Sequence, residues 1–236
     1  MTAPDKGKLS PFPSHIAIIM DGNRRWAEQH GLPREEGHRA GVESLRTTIE
    51  HLSTYDLSYL TIFGFSTENW TRSETEVRML LMLLEEVLSN EASGLNKRGI
   101  RLQHLGRLEG LPPTAQEVIQ RSAELTKNNN KMVLSFAFNY GGRSEILDAV
   151  NRLIKDKVPP SQINEKVFSE YLYTSGIPDV DMVIRTGGET RLSNFLIWQS
   201  VYSEIFFTDV LWPDFDEHEI DRALLFYSQK QRRFGG

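Results

Sequence analysis

Apolar positions recur along the chain in two rhythms, and their order predicts the fold. Residues 15–20 form a short apolar run that ends at Asp21-Gly22-Asn23, the pattern of a buried strand leaving a sheet through a tight loop. Val42, Leu45, Ile49 and Leu52 then repeat at three- and four-residue spacing and predict a helix over 37–55. Residues 59–66 are apolar almost without interruption, as in a strand covered on both faces. Val77, Leu80, Leu81, Leu84, Val87, Leu88 and Leu95 draw one long stripe over a helix at 75–98, which Gly99 closes. A third strand follows at 100–106, then a helix opened by Pro112 and Pro113 that runs to 127, and a fourth strand at 132–139. After a turn at Gly141-Gly142 come a helix at 144–157, a break at Pro159-Pro160 and a short helix after Asn164. Strands at 182–186 and 204–208 and a last helix at 216–232 complete the series. Such alternation predicts an α/β fold: a single domain over 14–236 with a mainly parallel six-stranded sheet, helices on both faces, and 1–13 as a flexible N-terminal arm.

Composition narrows the function classes. The chain has 236 residues and no cysteine, which excludes thiol catalysis and thiolate-held metals. The longest clean apolar run, 79–84, falls far short of the roughly 20 residues a membrane span needs. The first 13 residues carry Pro4, Pro11 and Pro13 but no apolar stretch of signal-peptide type, so a cytoplasmic protein is expected. A net charge of -5 argues against a general nucleic-acid partner. There is no internal repeat, no GxxxxGK[ST] phosphate loop, no GxGxxG, no GxSxG elbow and no HExxH.

Ligands of parallel sheets bind beyond the carboxyl ends of strands, so three loops carry the chemical interest. The first reads Asp21-Gly22-Asn23-Arg24-Arg25-Trp26. A carboxylate at a strand end can hold Mg²⁺, glycine lets backbone N–H groups approach an anion, and Arg24 and Arg25 offer forks for phosphate. A turn aspartate with two solvated arginines is the plainer alternative. The stretch Ile184-Arg185-Thr186-Gly187-Gly188-Glu189-Thr190-Arg191-Leu192-Ser193-Asn194-Phe195 repeats the chemistry, with Arg185 delivered by a strand, two glycines opening the backbone, and Arg191 with Ser193 able to grip a second anion. A surface turn with satisfied arginines competes with that reading. Two anion sites suggest two phosphorylated substrates. The third loop, Phe65-Ser66-Thr67-Glu68-Asn69-Trp70-Thr71-Arg72, sends polar groups out directly after a buried strand, while Thr71 and Ser73 are explained by capping of the next helix. His38 can donate to a phosphate from near its helix start, and Glu204 at a strand end can ligate a cation; each also fits an ordinary surface residue.

Taken together, HIAIIMDGNRRWA, GHRAG, FSTENW, NYGGR, IRTGGETRLSNFLIWQ and DVLWPDF, in this order over residues 14–236, resemble the cis-prenyltransferase family, most closely its bacterial undecaprenyl diphosphate synthases. The Asp-Asp magnesium motif of trans-prenyl synthases is absent. The resemblance implies a Mg²⁺-dependent homodimer that condenses isopentenyl diphosphate onto an allylic diphosphate such as farnesyl diphosphate. Its Z-polyprenyl diphosphate is delivered to a membrane, and the enzyme is cytoplasmic or peripheral at that surface. By the same resemblance Asp21 binds Mg²⁺ and is essential. Gly22, Asn23, Arg24, Arg25, Trp26, Arg34 and His38 surround the allylic diphosphate. Arg185, Arg191, Leu192 and Ser193 belong to the isopentenyl diphosphate site, and Glu204 contributes to the metal. Ser66, Thr67, Glu68, Asn69, Trp70 and Arg72 lie over both substrates, with Asn69 as proton acceptor or as the group that orients one. Thr190 departs from the His or Gln expected there. Leu80, Leu81, Leu84, Leu88, Met132, Leu134, Phe136 and Phe138 are candidates for a product tunnel, with Gly64 leaving room and Met132 at the floor; Ile205, Phe206, Phe207 and Trp212 are candidates for the dimer interface. The alternatives are a non-catalytic accessory subunit of the same family, opposed by the intact Asp21 loop, and a haloacid-dehalogenase-type phosphatase, which needs a second Asp where Asn23 stands.

Overall fold

A computed structural model describes residues 10–55 and 57–230, so most of the predicted arm and the last two residues of the last predicted helix lie outside the described residues; within them that helix already ends at Ser228. In chain order the elements are β1 (His15–Ile19), α1 (Asn23–Gln29), α2 (Arg34–Leu52), β2 (Tyr59–Ser66), α3 (Glu74–Lys97), β3 (Ile100–Leu105) and α4 (Pro113–Thr126). Then follow β4 (Met132–Tyr140), α5 (Gly142–Lys155), α6 (Glu165–Glu170), β5 (Met182–Arg185), β6 (Glu204–Phe207) and α7 (Glu217–Ser228). This is the α/β fold of six strands that the hydropathy pattern predicts. No helix among the described residues is long and apolar enough to cross a membrane.

The chain forms two compact units. The first gathers the chain up to Ser58, Val180–Arg191 and the stretch from Tyr202 onward. In it β5 pairs in parallel with β1, from Ile16 opposite Met182 to Ile19 opposite Arg185, and with β6, from Met182 opposite Glu204 to Arg185 opposite Phe207. Every residue of β1 and β5 is buried, which is why both read as plain apolar runs. The second unit comprises Tyr59–Asp179 and Leu192–Val201, where β4 pairs in parallel with β2 and with β3. The β2 ladder slips between Phe63 and Phe65, so Gly64 forms a bulge, and a Cβ there would stand 3.3 Å from the Phe138 ring.

Three helix starts differ from the periodicity. The seven residues of α1 bury only Ala27, so no apolar stripe announces them. Helix α2 begins at Arg34 instead of 37, because Pro33 ends the preceding loop and an exposed, polar first turn with Glu35 and Glu36 suits the helix dipole without adding an apolar signal. Helix α5 begins at Gly142: Gly141 is extended, and the glycine pair opens the helix instead of merely turning the chain. Ser73 caps α3 as expected, its hydroxyl accepting from the Glu76 N–H.

Candidate active site

Asp21 lies just past the carboxyl end of β1, and the end of β5, Arg25 of α1 and Trp212 supply the groups that hold it. The Thr186 hydroxyl accepts the Asp21 N–H at 2.9 Å and donates to the Asp21 carbonyl at 2.7 Å, while the Trp212 N–H reaches the same carbonyl at 3.0 Å. One carboxylate oxygen accepts from Arg185 Nη2 at 2.8 Å, and the other faces Arg25 Nη2 at 3.5 Å. Arg185 is buried and also donates to the Arg191 carbonyl, whereas a third of the Asp21 side chain stays exposed. Arg25 in turn donates to the Gly187 carbonyl at 2.6 Å. Both arginine loops seen in the sequence therefore meet at one carboxylate.

The glycines act differently from the expectation. The N–H groups of Gly187 and Gly188 donate to the carbonyls of Val210 and Thr208, each at 2.8 Å, and so are spent on cross-linking instead of being bared to an anion. Their backbones are left-handed (φ 80° and 78°), and a Cβ on Gly187 would fall 2.5 Å from Arg25 Nη2 and 2.9 Å from the Asp21 carbonyl oxygen. Glycine here allows Arg25 to approach.

The first loop is divided by α1. Arg25 turns toward Asp21, but Arg24 pairs with Glu28 on the exposed side at 3.0 Å. Asn23 donates its amide toward His38 Nδ1 at 3.3 Å, the Trp26 indole donates to Asp214 at 2.7 Å, and Arg34 opens α2 on an exposed turn. A Cβ on Gly37 would lie 2.1 Å from the Asn23 carbonyl oxygen, and one on Gly41 would lie 2.6 Å from Asn23 Oδ1, so in GHRAG the first glycine lets α1 and α2 touch backbone to backbone and the second leaves room for the Asn23 side chain.

For a metal, the donor set fits Mg²⁺ at Asp21, an ion content with one or two carboxylates when phosphate oxygens and water complete its shell. Glu204 does not join it within this chain. It starts β6 opposite Met182, whereas Asp21 follows Ile19, which stands opposite Arg185. The two carboxylates thus sit at opposite ends of a parallel ladder. Among the described residues no group of three or more His, Asp or Glu side chains forms a ready-made metal cage.

In the second unit, Thr67–Thr71 is a 3-10 helix closed by a capping box. The Asn69 side-chain Oδ1 accepts the Ser66 N–H at 3.0 Å, which engages one lone pair of the atom that a proton-acceptor role would use. The Trp70 indole donates to Asn139 at 2.8 Å, and Arg72 pairs with Glu76 at 2.7 Å. Glu68 is exposed and accepts from the Asn194 amide at 2.9 Å. Burial pushes its carboxyl upward, but hydrogen bonds, that of Asn194 first, outweigh this and hold it below the usual range. Leu192 accepts the Phe195 N–H at 3.0 Å, and Ser193 is left-handed (φ 49°).

A family model described as "Putative undecaprenyl diphosphate synthase" matches residues 19–235. The chain belongs to this prenyltransferase family. It is 52% identical over 225 residues to an isoprenyl transferase of Fusobacterium nucleatum, covering 95% of this chain and 96% of that one. It is 46% identical over 228 residues to the ditrans,polycis-undecaprenyl-diphosphate synthase ((2E,6E)-farnesyl-diphosphate specific) of Legionella pneumophila, covering 95% and 96%. A crystal structure of lavandulyl diphosphate synthase from Lavandula x intermedia, in complex with dimethylallyl diphosphate, superposes with a TM-score of 0.91 at 34% identity over 95% of this chain and 99% of that one.

For a prenyltransferase the apolar candidates sort by burial. Leu80, Leu81, Leu88, Met132, Leu134, Phe136 and Phe138 are core residues, Leu84 is half-buried, and Gly64 is exposed. Ile205 and Phe206 are half-buried and Phe207 exposed, but Trp212 is 1% exposed and donates to the Gly41 carbonyl at 2.8 Å. Trp212 is therefore a buried prop of the Asp21 loop and no part of an interface. No local pattern marks Thr186, Asn139 or Asn194, whose polar groups act on chain segments remote in sequence; only their places inside IRTGGETRLSNFLIWQ and NYGGR mark them.

Proposed function

We propose that this prenyltransferase is a chain-elongating, Mg²⁺-dependent cis-prenyltransferase. It adds isopentenyl diphosphate units to an allylic diphosphate, farnesyl diphosphate, to give a Z-polyprenyl diphosphate such as undecaprenyl diphosphate, a lipid-carrier precursor for cell-wall synthesis. The observation that carries this reading is the meeting of Arg25, Arg185 and a half-open Asp21 carboxylate at the ends of β1 and β5. An accessory subunit has no use for such an intact cluster, and Asn23 lacks the carboxylate a phosphatase would need.

Breaking the allylic C–O bond leaves positive character on the hydrocarbon and adds negative charge to the departing diphosphate, so the site must be complementary to that charge. Asp21 would hold Mg²⁺, which supplies Lewis-acid neutralisation of the leaving group. Gly22, Asn23, Arg25, Trp26, Arg34 and His38 bind and orient the allylic diphosphate, with Arg24 reaching it on release of Glu28. Arg185, Arg191, Leu192 and Ser193 hold isopentenyl diphosphate so that its diphosphate is retained while its double bond attacks. Ser66, Thr67, Glu68, Trp70 and Arg72 order the segment over the substrates. Asn69 orients the diphosphate oxygen or water that takes the proton, since a neutral amide is a poor base and its carbonyl already serves Ser66. Residues 14–236 act as one catalytic domain. Each five-carbon addition transfers about 3–4 kcal/mol worth of apolar chain from water, so the product leaves slowly and into a membrane, at whose surface the enzyme works. The enzyme is a homodimer with Ile205, Phe206 and Phe207 at its contact, an assembly that could bring Glu204 of one protomer to the metal of its partner.

The test is incubation of the purified chain with labelled isopentenyl diphosphate, farnesyl diphosphate and Mg²⁺, followed by product sizing. A polyprenyl product that disappears in Asp21→Ala is expected. Absence of product from the wild type overturns the proposal, and undiminished turnover in Asp21→Ala overturns the metal role.

A further inference from the structure

Asn194 meets three requirements at once. Its backbone is left-handed (φ 64°), between Ser193 at 49° and Phe195, with Leu196 again at 44°. Asn tolerates that conformation better than other residues with a side chain. Its Oδ1 accepts the Arg143 N–H at 2.9 Å and its backbone carbonyl accepts the Gly142 N–H at 2.7 Å, so the residue is bolted to the first turn of α5. Its Nδ2 then donates to Glu68 Oε1 at 2.9 Å. The two side-chain bonds fix which end of the amide is which: a backbone N–H demands the oxygen and a carboxylate demands the nitrogen. Gly141 belongs to the same arrangement, because a Cβ there would lie 2.6 Å from Thr67 Oγ1 and 2.9 Å from Asn194 Nδ2.

Glu68, by contrast, rides on a five-residue 3-10 helix and is exposed; its carboxylate is otherwise steadied by its neighbours Thr67, at 3.2 Å, and Ser66. We propose that Asn194 is a positioning residue that carries the rigidity of α5 to Glu68 and sets the direction of that carboxylate during prenyl transfer. The inference rests on the function proposed above for its kinetic consequence, but not for the bond itself. Asn194 stands next to Ser193, so one residue fixes both the turn that presents Ser193 and the acid of the segment over the substrates.

Two variants of the full chain test this. Asn194→Gly keeps the left-handed backbone at no steric cost and removes only the amide. It is expected to fold with a near-native melting temperature and to lose about ten- to hundredfold in kcat/KM for isopentenyl diphosphate, the worth of a hydrogen bond to a charged group. Asn194→Asp keeps the shape but sets a carboxylate against Glu68. Two ionised carboxylates at that distance repel and raise the pair's affinity for a proton, so its deficit relative to wild type is expected to shrink about fivefold or more between pH 8 and pH 6, as the pair takes up one shared proton. Carbon-13 NMR titration of the Glu68 carboxyl gives a readout independent of turnover: its pKa is expected to rise in Asn194→Gly. An unchanged Glu68 titration, a deficit in Asn194→Asp that ignores pH, or full activity in Asn194→Gly overturns the proposal. Wild type that makes no product overturns the function proposed above, while the titration still decides whether Asn194 governs Glu68.

Discussion

The Thr186 hydroxyl and the backbone of Asp21 are bonded twice, once in each direction, at 2.9 and 2.7 Å. Thr186 is fully buried and sits 165 residues from Asp21 in sequence, so the bond fixes the exit of β1 to the exit of β5. Thr186→Val keeps the shape but leaves these backbone groups with weaker partners. A loss of about 1–3 kcal/mol is expected, with a melting temperature lowered by about 3–10 °C. The Mg²⁺ concentration for half-maximal turnover should rise about tenfold, and Thr186→Ser should restore both values. Equal Mg²⁺ dependence in Val and wild type would show that the hydroxyl does not position Asp21.

Arg185 serves two acceptors from one buried guanidinium, the Asp21 carboxylate and the Arg191 carbonyl. A lysine retains the charge but offers a point donor in place of a planar fork. Arg185→Lys is therefore expected to cut kcat/KM for isopentenyl diphosphate about hundredfold, with a smaller effect on the allylic substrate. A Lys variant within twofold of wild type for both substrates contradicts the fork.

How much of this was legible in the sequence follows from where the information lies. The strands and α3 were readable because their burial is periodic along the chain itself: β1 is buried at every position and α3 buries Val77, Leu80, Leu81, Leu88, Ala92 and Leu95 on one stripe. Asp21, Arg25 and Arg185 were readable too, since strand ends in parallel sheets point to ligands. Helix α1 was not, because its place depends on what is missing from α2: Gly37 reads as a weak helix residue, yet its bare Cα is what admits the Asn23 carbonyl. The place of Glu204 was not legible for a related reason. Sequence marks the start of a strand but not its register, and the register puts Glu204 level with Met182. Thr186 and Asn194 act on backbone and side-chain atoms far along the chain, which no local pattern encodes.

A buried carboxyl in the second unit gives stability a pH dependence. Glu145 is 1% exposed, and Tyr140 Oη, the Tyr173 N–H and Gln199 Nε2 all donate to it. Desolvation by burial nevertheless dominates these bonds and raises its pKa above the usual value of 4.5. The native state then binds this proton more tightly than the unfolded chain does, so the contribution is complete below the unfolded value and fades as pH climbs through the raised native one. Melting temperatures from pH 4.5 upward should fall more steeply for wild type than for Glu145→Gln, whatever the variant's absolute stability. Parallel slopes contradict the assignment.

Met132 opens β4 opposite Ile100 and is 2% exposed, at the end of the strand remote from Phe138, roughly 20 Å away at about 3.3 Å per residue. If the growing chain runs along this strand from the end where Gly64 and Phe138 meet, Met132 is where it stops. Met132→Ala removes a buried side chain, with an expected cost of about 2–5 kcal/mol in stability from the cavity left behind. That same cavity should admit further five-carbon units, so products longer than those of wild type are expected when both are sized side by side under equal turnover. Because a destabilised enzyme releases shorter chains early, only a shift toward greater length counts in favour of a floor at Met132, and products no longer than wild type's remove it.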